Sequence, residues 1–143
     1  MISSEYAAGF FDGEGCIAIR YDKRCDSYIL KVSVSNTCRS VLAAFQERWG
    51  GSMTENSPKK EHHQGWSDWL LQGRAGIPFL KDVHPYLVVK KEQSDLAFEL
   101  INTYGTNPGR GHRLSQEVKD KRLELKEKLH SLKTKGKGLR GSH

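Results

Sequence analysis

Two carboxylates and a cluster of small residues stand near the start of the chain, in "SSEYAAGFFDGEGCIAIR", where Ala7, Ala8, Gly9, Gly13 and Gly15 surround Asp12 and Glu14. Residues two apart on a helix are separated by about 200° around its axis, so these acids cannot serve one site if both are helical. Asp12, within the helix, is expected to accept local hydrogen bonds or to pair with neighbouring backbone. Glu14 falls where the helix gives way to a strand, and a carboxylate there adds to the partial negative charge of the free carbonyls. The placement becomes favourable if a cation bridges carbonyl and carboxylate oxygens. Oxygen-only ligation points to Mg²⁺, which takes one or two carboxylates and fills its other positions with water and substrate phosphate. One carboxylate makes a poor site, and a second requires another copy of the same helix end. Gly9 and Gly13, at i and i+4 and flanked by Ala8, would clear a helix face for that copy to approach at backbone contact. The same spacing also fits glycines that only permit a tight turn, with the acids solvated.

The elements that position these residues are legible in the periodicity. A short helix capped by Ser3 or Ser4 must stop at Gly13 or Gly15. In "CIAIRY", Ile17, Ile19 and Tyr21 alternate with Ala18, Arg20 and Asp22, the pattern of a half-buried strand. "KRCDS" reads as a turn, and "YILKVSVS" repeats the alternation with Tyr28, Leu30, Val32 and Val34 inward and Ile29, Lys31, Ser33 and Ser35 outward, which makes a hairpin. "TCRSVLAAFQERWGG" places Val41, Leu42, Phe45 and Trp49 at helical spacing, with Gly50 and Gly51 as the stop.

A second hairpin follows in "SMTENSPKKEHHQGWSDWLLQG". There a polar loop separates a short strand near Met53 from one in which Trp69 and Leu71 face opposite Asp68 and Leu70. "GIPFLKDVHPYL" is expected to be a short helix ended near Pro85, and "QSDLAFELINTYG" a helix with Leu96, Leu100, Ile101 and Tyr104 on one face. After the break at "NPGRG", a last helix carries Leu114, Val118, Leu125, Leu129 and Leu132 near one stripe and should pack on the body. Residues 1–133 form one domain in this reading. Beyond Lys133 the chain is polar and glycine-rich, a flexible basic tail over residues 134–143 whose closing "RGSH" resembles the remnant of an expression tag. The order predicts an α+β fold with one four-stranded antiparallel sheet, helices on one face and the other face open.

Composition narrows the function classes. The chain has 143 residues, 36% hydrophobic and 28% charged, which suits one globular domain. No apolar run approaches the roughly 20 residues needed to cross a bilayer, and the N-terminus lacks the basic-then-apolar order of a signal peptide, so an intracellular location is expected, cytoplasm and organelle matrix being indistinguishable. Cys16, Cys25 and Cys38 show neither disulfide nor zinc spacing. His62 and His63 lack the i, i+4 partner of a helical metal site. The net charge of +6 is uneven: residues 110–143 hold 11 of the 23 Lys/Arg but only 4 of the 17 Asp/Glu, leaving 12 against 13 in the body. A neutral body with a basic tail points towards nucleic acid.

The stretch "AAGFFDGEG" resembles the LAGLIDADG motif of the homing endonuclease family, with Ala7 in place of the usual leading leucine and Glu14 as the final acid. The element order is similar to that family's αββαββα unit, and "SDWLL" and "HPYLVVKKEQ" resemble its later half, so that the likeness covers residues 2–105. The resemblance implies a saddle-shaped sheet lying on double-stranded DNA, with two motif helices packed together and one acid from each at the metal sites. One motif without a second copy then implies a homodimer on a palindromic or nearly palindromic target.

Carried over residue by residue, the resemblance makes Glu14 the Mg²⁺ ligand, with the Gly13 carbonyl beside it and Mn²⁺ able to substitute. Lys90 would stabilise charge on the phosphate and Asn36 would position solvent, with Arg39 or Ser40 in similar roles. Ala8, Gly9, Asp12 and Gly13 would form the dimer interface. The activity implied is a double-strand break by phosphodiester hydrolysis, in the service of intron homing. Bases would be read by the outward positions Ala18, Arg20, Asp22, Ile29, Lys31, Ser33, Thr54, Asn56, Trp66 and Asp68, with Arg20 on guanine the most concrete contact. Lys23, Arg24, Lys59, Lys60 and the tail would hold phosphates. Trp69 belongs inside by alternation. Two other functions compete: a non-cleaving binder on the same scaffold, such as an intron maturase or a transcription factor, and a structural dimerisation module. The second of these explains the motif helix but neither the outward polar face nor Lys90.

Overall fold

The fold is that of a computed structural model, which describes residues 1–56, 65–104 and 115–141, with side chains up to residue 133. Lys59, Lys60, His62, His63 and Leu114 lie outside the described residues. The first helix, α1 (Ser4–Glu14), starts where Ser3 Oγ accepts the Tyr6 N–H at 3.1 Å, satisfying one of the unpaired donors of its first turn. It runs directly into β1 (Gly15–Asp22), which pairs antiparallel with β2 (Ser27–Asn36). Helix α2 (Arg39–Trp49) ends at Gly50, whose φ of 76° only glycine adopts readily, and leads to β3 (Ser52–Asn56) and β4 (Trp66–Gln72). Helices α3 (Gly76–Val83), α4 (Lys91–Tyr104) and α5 (Gln116–Gly141) follow.

The four strands form one antiparallel sheet in the order β1-β2-β4-β3, the α+β arrangement expected from the periodicity. Its inner face carries Ile17, Ile19, Leu30, Val32, Val34, Trp69 and Leu71, all buried. An aromatic cluster joins these strands to the helices. Phe79 of α3 lies 5.0 Å from Phe11 of α1, 4.8 Å from Trp49 of α2 and 5.1 Å from Trp69, centroid to centroid, in edge-to-face geometry. Truncating Phe79 to Ala would open a cavity at that junction and cost about 3–5 kcal/mol.

Tyr21 is 39% exposed rather than inward, because the hairpin outruns the helices that cover the sheet; its ring packs on Tyr28 and its hydroxyl donates to Asp26 at 2.6 Å. On α4 Leu100 is buried and Leu96, Ile101 and Tyr104 pack partly buried against the core, as the spacing predicted, and the small residues Ser94 and Ala97 are buried as well.

In the described part of α5 the buried positions are Arg122, Leu125 and Leu129. Burial pushes the Arg122 guanidinium down, and the group is held by Thr103, with Nε donating to Oγ1 at 2.9 Å, and by the Tyr104 ring at 4.9 Å. The helix continues to Gly141, past Lys133 where a flexible tail was expected. Glycine costs a helix interior about 1 kcal/mol relative to alanine without forbidding it. Helix α5 runs beside the edge strand β1: Lys119 pairs with Asp26 in the hairpin turn at 2.7 Å, and Lys133 Nζ donates to Cys16 Sγ at 3.3 Å at the strand's other end. The edge is thereby covered, which protects its unpaired backbone groups from other chains. Among the described residues, no helix is long and apolar enough to cross a membrane.

Candidate active site and open sheet face

Helix α1 presents one crowded side and one bare side. Ala7, Ala8 and Phe11 are fully buried against their own chain, so Ala8 is a core residue and not part of an outer face as the spacing suggested. The bare side consists of Gly9 and Gly13, where an added Cβ would meet nothing within 4 Å, together with Tyr6, which is 55% exposed. Gly15 has a different reason to be glycine. Its backbone is extended, with φ −88° and ψ 175°, but a Cβ there would lie 2.1 Å from Phe11 Cδ1. The small residue lets the helix turn into the sheet directly over the buried ring.

Asp12 is engaged within its own chain. Its carboxylate accepts the Val88 N–H at 2.7 Å and the Lys90 N–H at 3.0 Å, while its carbonyl accepts Lys90 Nζ at 2.7 Å. The physical reason is the start of α4: Lys90 C=O already accepts the Ser94 N–H at 2.8 Å, so the Val88–Lys90 segment is the helix entry, where free N–H groups and the positive end of the helix dipole attract an anion. The result is that Lys90, 76 residues beyond Glu14 in sequence, is fastened to the residue two before it.

Glu14 itself is exposed and makes no hydrogen bond or ion pair among the described residues. Among those residues no three His, Cys, Asp or Glu converge on one point. A lone carboxylate beside a backbone carbonyl is a hard-oxygen donor set, which fits a divalent cation of the Mg²⁺ type but falls short of a complete site within one chain. Asn36 ends β2, and its Oδ1 accepts the Cys38 N–H at 2.8 Å, which shapes the entry to α2. Arg39 is paired with Glu55, and the Ser40 hydroxyl meets Cys38 Sγ at 3.3 Å.

The sequence-predicted reading positions share the open face of the sheet. Across the ladder Arg20 stands opposite Ile29, Ala18 opposite Lys31, Thr54 opposite Asp68 and Asn56 opposite Trp66, while Ser33 faces Cys16. Trp66 is 43% exposed there, whereas Trp69 is fully buried and donates its indole N–H to the Gly50 carbonyl at 2.7 Å. Asp22 shares the parity of this face, yet its carboxylate is turned into the hairpin, accepting the Arg24 N–H at 3.0 Å; that bond holds it below the usual carboxylate range. Lys23 and Arg24 are exposed in the same turn. The same face carries Cys16, Ser35, Ser52, Leu70 and Gln72, which were not counted as readers; Ser35, outward by alternation, stands opposite Asp68, and Gln72 opposite Lys31.

No family model matches the chain, and no curated protein matches it by sequence. Solved structures do. The chain is similar to the homing endonuclease I-CvuI in complex with its target in the presence of calcium, at TM-score 0.69 and 22% identity over 90% of this chain and 80% of that one. It is similar to the archaeal intron-encoded homing endonuclease I-Vdi141I complexed with DNA, at TM-score 0.70 and 19% identity over 90% and 82%. A third likeness is to I-SmaMI bound to an uncleaved DNA target, at TM-score 0.68 and 19% identity, covering 92% of this chain but 46% of that one. The fold is therefore that of the LAGLIDADG homing endonucleases, a mixed architecture of helices on a four-stranded antiparallel sheet.

Proposed function

We propose that this chain is a site-specific DNA endonuclease that works as a homodimer and hydrolyses phosphodiester bonds with Mg²⁺, Mn²⁺ being able to substitute. The observation that supports the reading is the tie between Lys90 and Asp12, which fastens an ammonium group to the backbone two residues before the exposed Glu14. The DNA-bound state of neighbours with this fold supports the choice of substrate. The bare Gly9 and Gly13 side supports close approach of a second α1, as does the match to 80% of I-CvuI and 82% of I-Vdi141I but only 46% of I-SmaMI. Two copies would bring two Glu14 carboxylates together.

In this reading Glu14 and the Gly13 carbonyl would hold the cation, which would supply positive charge at the scissile phosphate. Lys90 keeps its charge directed at the phosphate because the Asp12 carbonyl holds Nζ in place. The Asn36 amide nitrogen orients solvent while its oxygen is engaged by Cys38 N–H. Arg20 and Lys31 face the major groove, and Lys23, Arg24 and the exposed lysines of α5 hold phosphates.

Selection of cleaved sites from a randomised duplex library with Mg²⁺ tests this directly. Recovered sites should be palindromic or nearly so, and Glu14→Gln should still bind them without cutting. A wild-type protein that binds selected sites tightly yet never nicks them with Mg²⁺ or Mn²⁺ would be a binder and not a nuclease.

A further inference from the structure

The open face carries a polar cluster whose hydrogen bonds all run one way. Asp68 of β4 accepts the Ser35 hydroxyl from β2 on Oδ1 and, on Oδ2, Asn56 Nδ2 from β3 at 2.7 Å. The three residues come from three adjacent strands and sit on the exposed side, with Ser35 and Thr54 directly across from Asp68. Asp68 forms no ion pair among the described residues; the nearest cation of the face along β2 is Lys31, four residues from Ser35 and thus about 13 Å away along the strand.

Donor bookkeeping then decides what this cluster can offer a ligand. A hydroxyl has one hydrogen, and that of Ser35 points at Asp68, so Ser35 shows lone pairs outward. One hydrogen of the Asn56 amide is engaged in the same way, which fixes the amide, leaves its second N–H as the one remaining donor of these three side chains and turns its Oδ1 away from the carboxylate as a further acceptor. Asp68 accepts only, and each carboxylate oxygen retains a lone pair beyond the bond it makes. The cluster is therefore rich in acceptors and carries negative charge. In the major groove the donors are the exocyclic amines, N4 of cytosine and N6 of adenine, whereas guanine O6 and N7 and thymine O4 are acceptors that this cluster would repel.

We infer that Asp68, held by Ser35 and Asn56, is a specificity-determining residue that selects an amine-bearing base, cytosine or adenine, at one position in each half of the target. The inference rests on the DNA-binding reading above. A charged group kept on the sheet by two neighbours pays little ordering entropy on binding, so discrimination should be sharp.

The experiment compares sites selected from a randomised duplex library by the full-length wild type and by Asp68→Asn, which keeps the shape and replaces one acceptor oxygen with a donor. Binding selection in Ca²⁺ is read alongside cleavage, and thermal melting confirms folding. The wild type should enrich cytosine or adenine over guanine and thymine at one position per half-site, and the variant should lose that preference by about tenfold while the other positions hold. If Asp68→Asn does not fold, Asp68→Thr, which suits a strand, is expected to give the same loss. An unchanged site profile in the folded variant, or guanine or thymine enriched by the wild type at the position that changes, overturns the inference and leaves the endonuclease reading intact. A wild type that enriches no sequence overturns both.

Discussion

Asp12→Ala isolates the tether between the motif helix and Lys90. The substitution removes the acceptor of two backbone N–H groups, those of Val88 at 2.7 Å and Lys90 at 3.0 Å. A hydrogen bond to a charged group contributes about 1.5–3 kcal/mol, so the pair could be worth about 3–6 kcal/mol if water were excluded. Val88 is 81% exposed and Asp12 is half-buried, so water replaces much of what is lost and about 2 kcal/mol remains. For a chain of this length that corresponds to a fall in Tm of about 6 °C. Loosening of the Val88–Lys90 segment should also lower kcat by about tenfold to a hundredfold with KM for the target unchanged, since Nζ is misplaced while the reading face is untouched. Hydrogen exchange at the Val88 and Lys90 amides should accelerate, and the association state in sedimentation should not change. A variant that melts within about 1 °C of the wild type with unaltered amide exchange would show that the tether does not hold the segment. A variant that dissociates into monomers would show that Asp12 also acts at the dimer interface.

Gly9→Leu meets open space in the single chain, so the monomer should fold at least as well as the wild type, by up to about 1 kcal/mol from helix propensity. It should nevertheless sediment as a monomer, and persistence of a dimer would place the interface elsewhere. Gly15→Ala drives a methyl into Phe11 and should lower stability by about 1–3 kcal/mol in urea titration, an unaltered midpoint showing that the ring can move aside. Asp22 has a folded pKa below the ordinary 3.8 because it accepts the Arg24 N–H, so its stabilising contribution is present above 3.8 and is lost as pH falls through its lower folded value. Asp22→Asn should therefore flatten the acid limb of a Tm-against-pH curve, and an unchanged limb would assign it to other carboxylates.

Local physics made most of the architecture legible in the sequence. Period-two alternation in "CIAIRY", "YILKVSVS" and "SDWLL" defined which residues face the core, because a strand sends neighbouring side chains to opposite faces whatever lies above it. The same rule put Arg20, Lys31, Thr54, Asn56, Trp66 and Asp68 on one surface, and their shared face in the sheet bears it out. The glycines beside Glu14 marked the motif helix. Where long-range packing decides, the sequence was silent or misleading. Ala8 is spaced like a member of the bare side, but the helix is rotated so that its methyl enters the core and Tyr6 takes the exposed place. Arg122 breaks an apolar stripe on paper, yet Thr103 and Tyr104 of α4 supply the partners that let it be buried. Asp12 could be read as paired with neighbouring backbone, but only the tertiary structure chose that backbone, 76 residues on, because the free N–H groups at the start of α4 are brought to it by chain crossings that no local period encodes. The side of a strand or helix on which a residue falls is a local property, whereas the identity of its partner depends on how the elements are stacked.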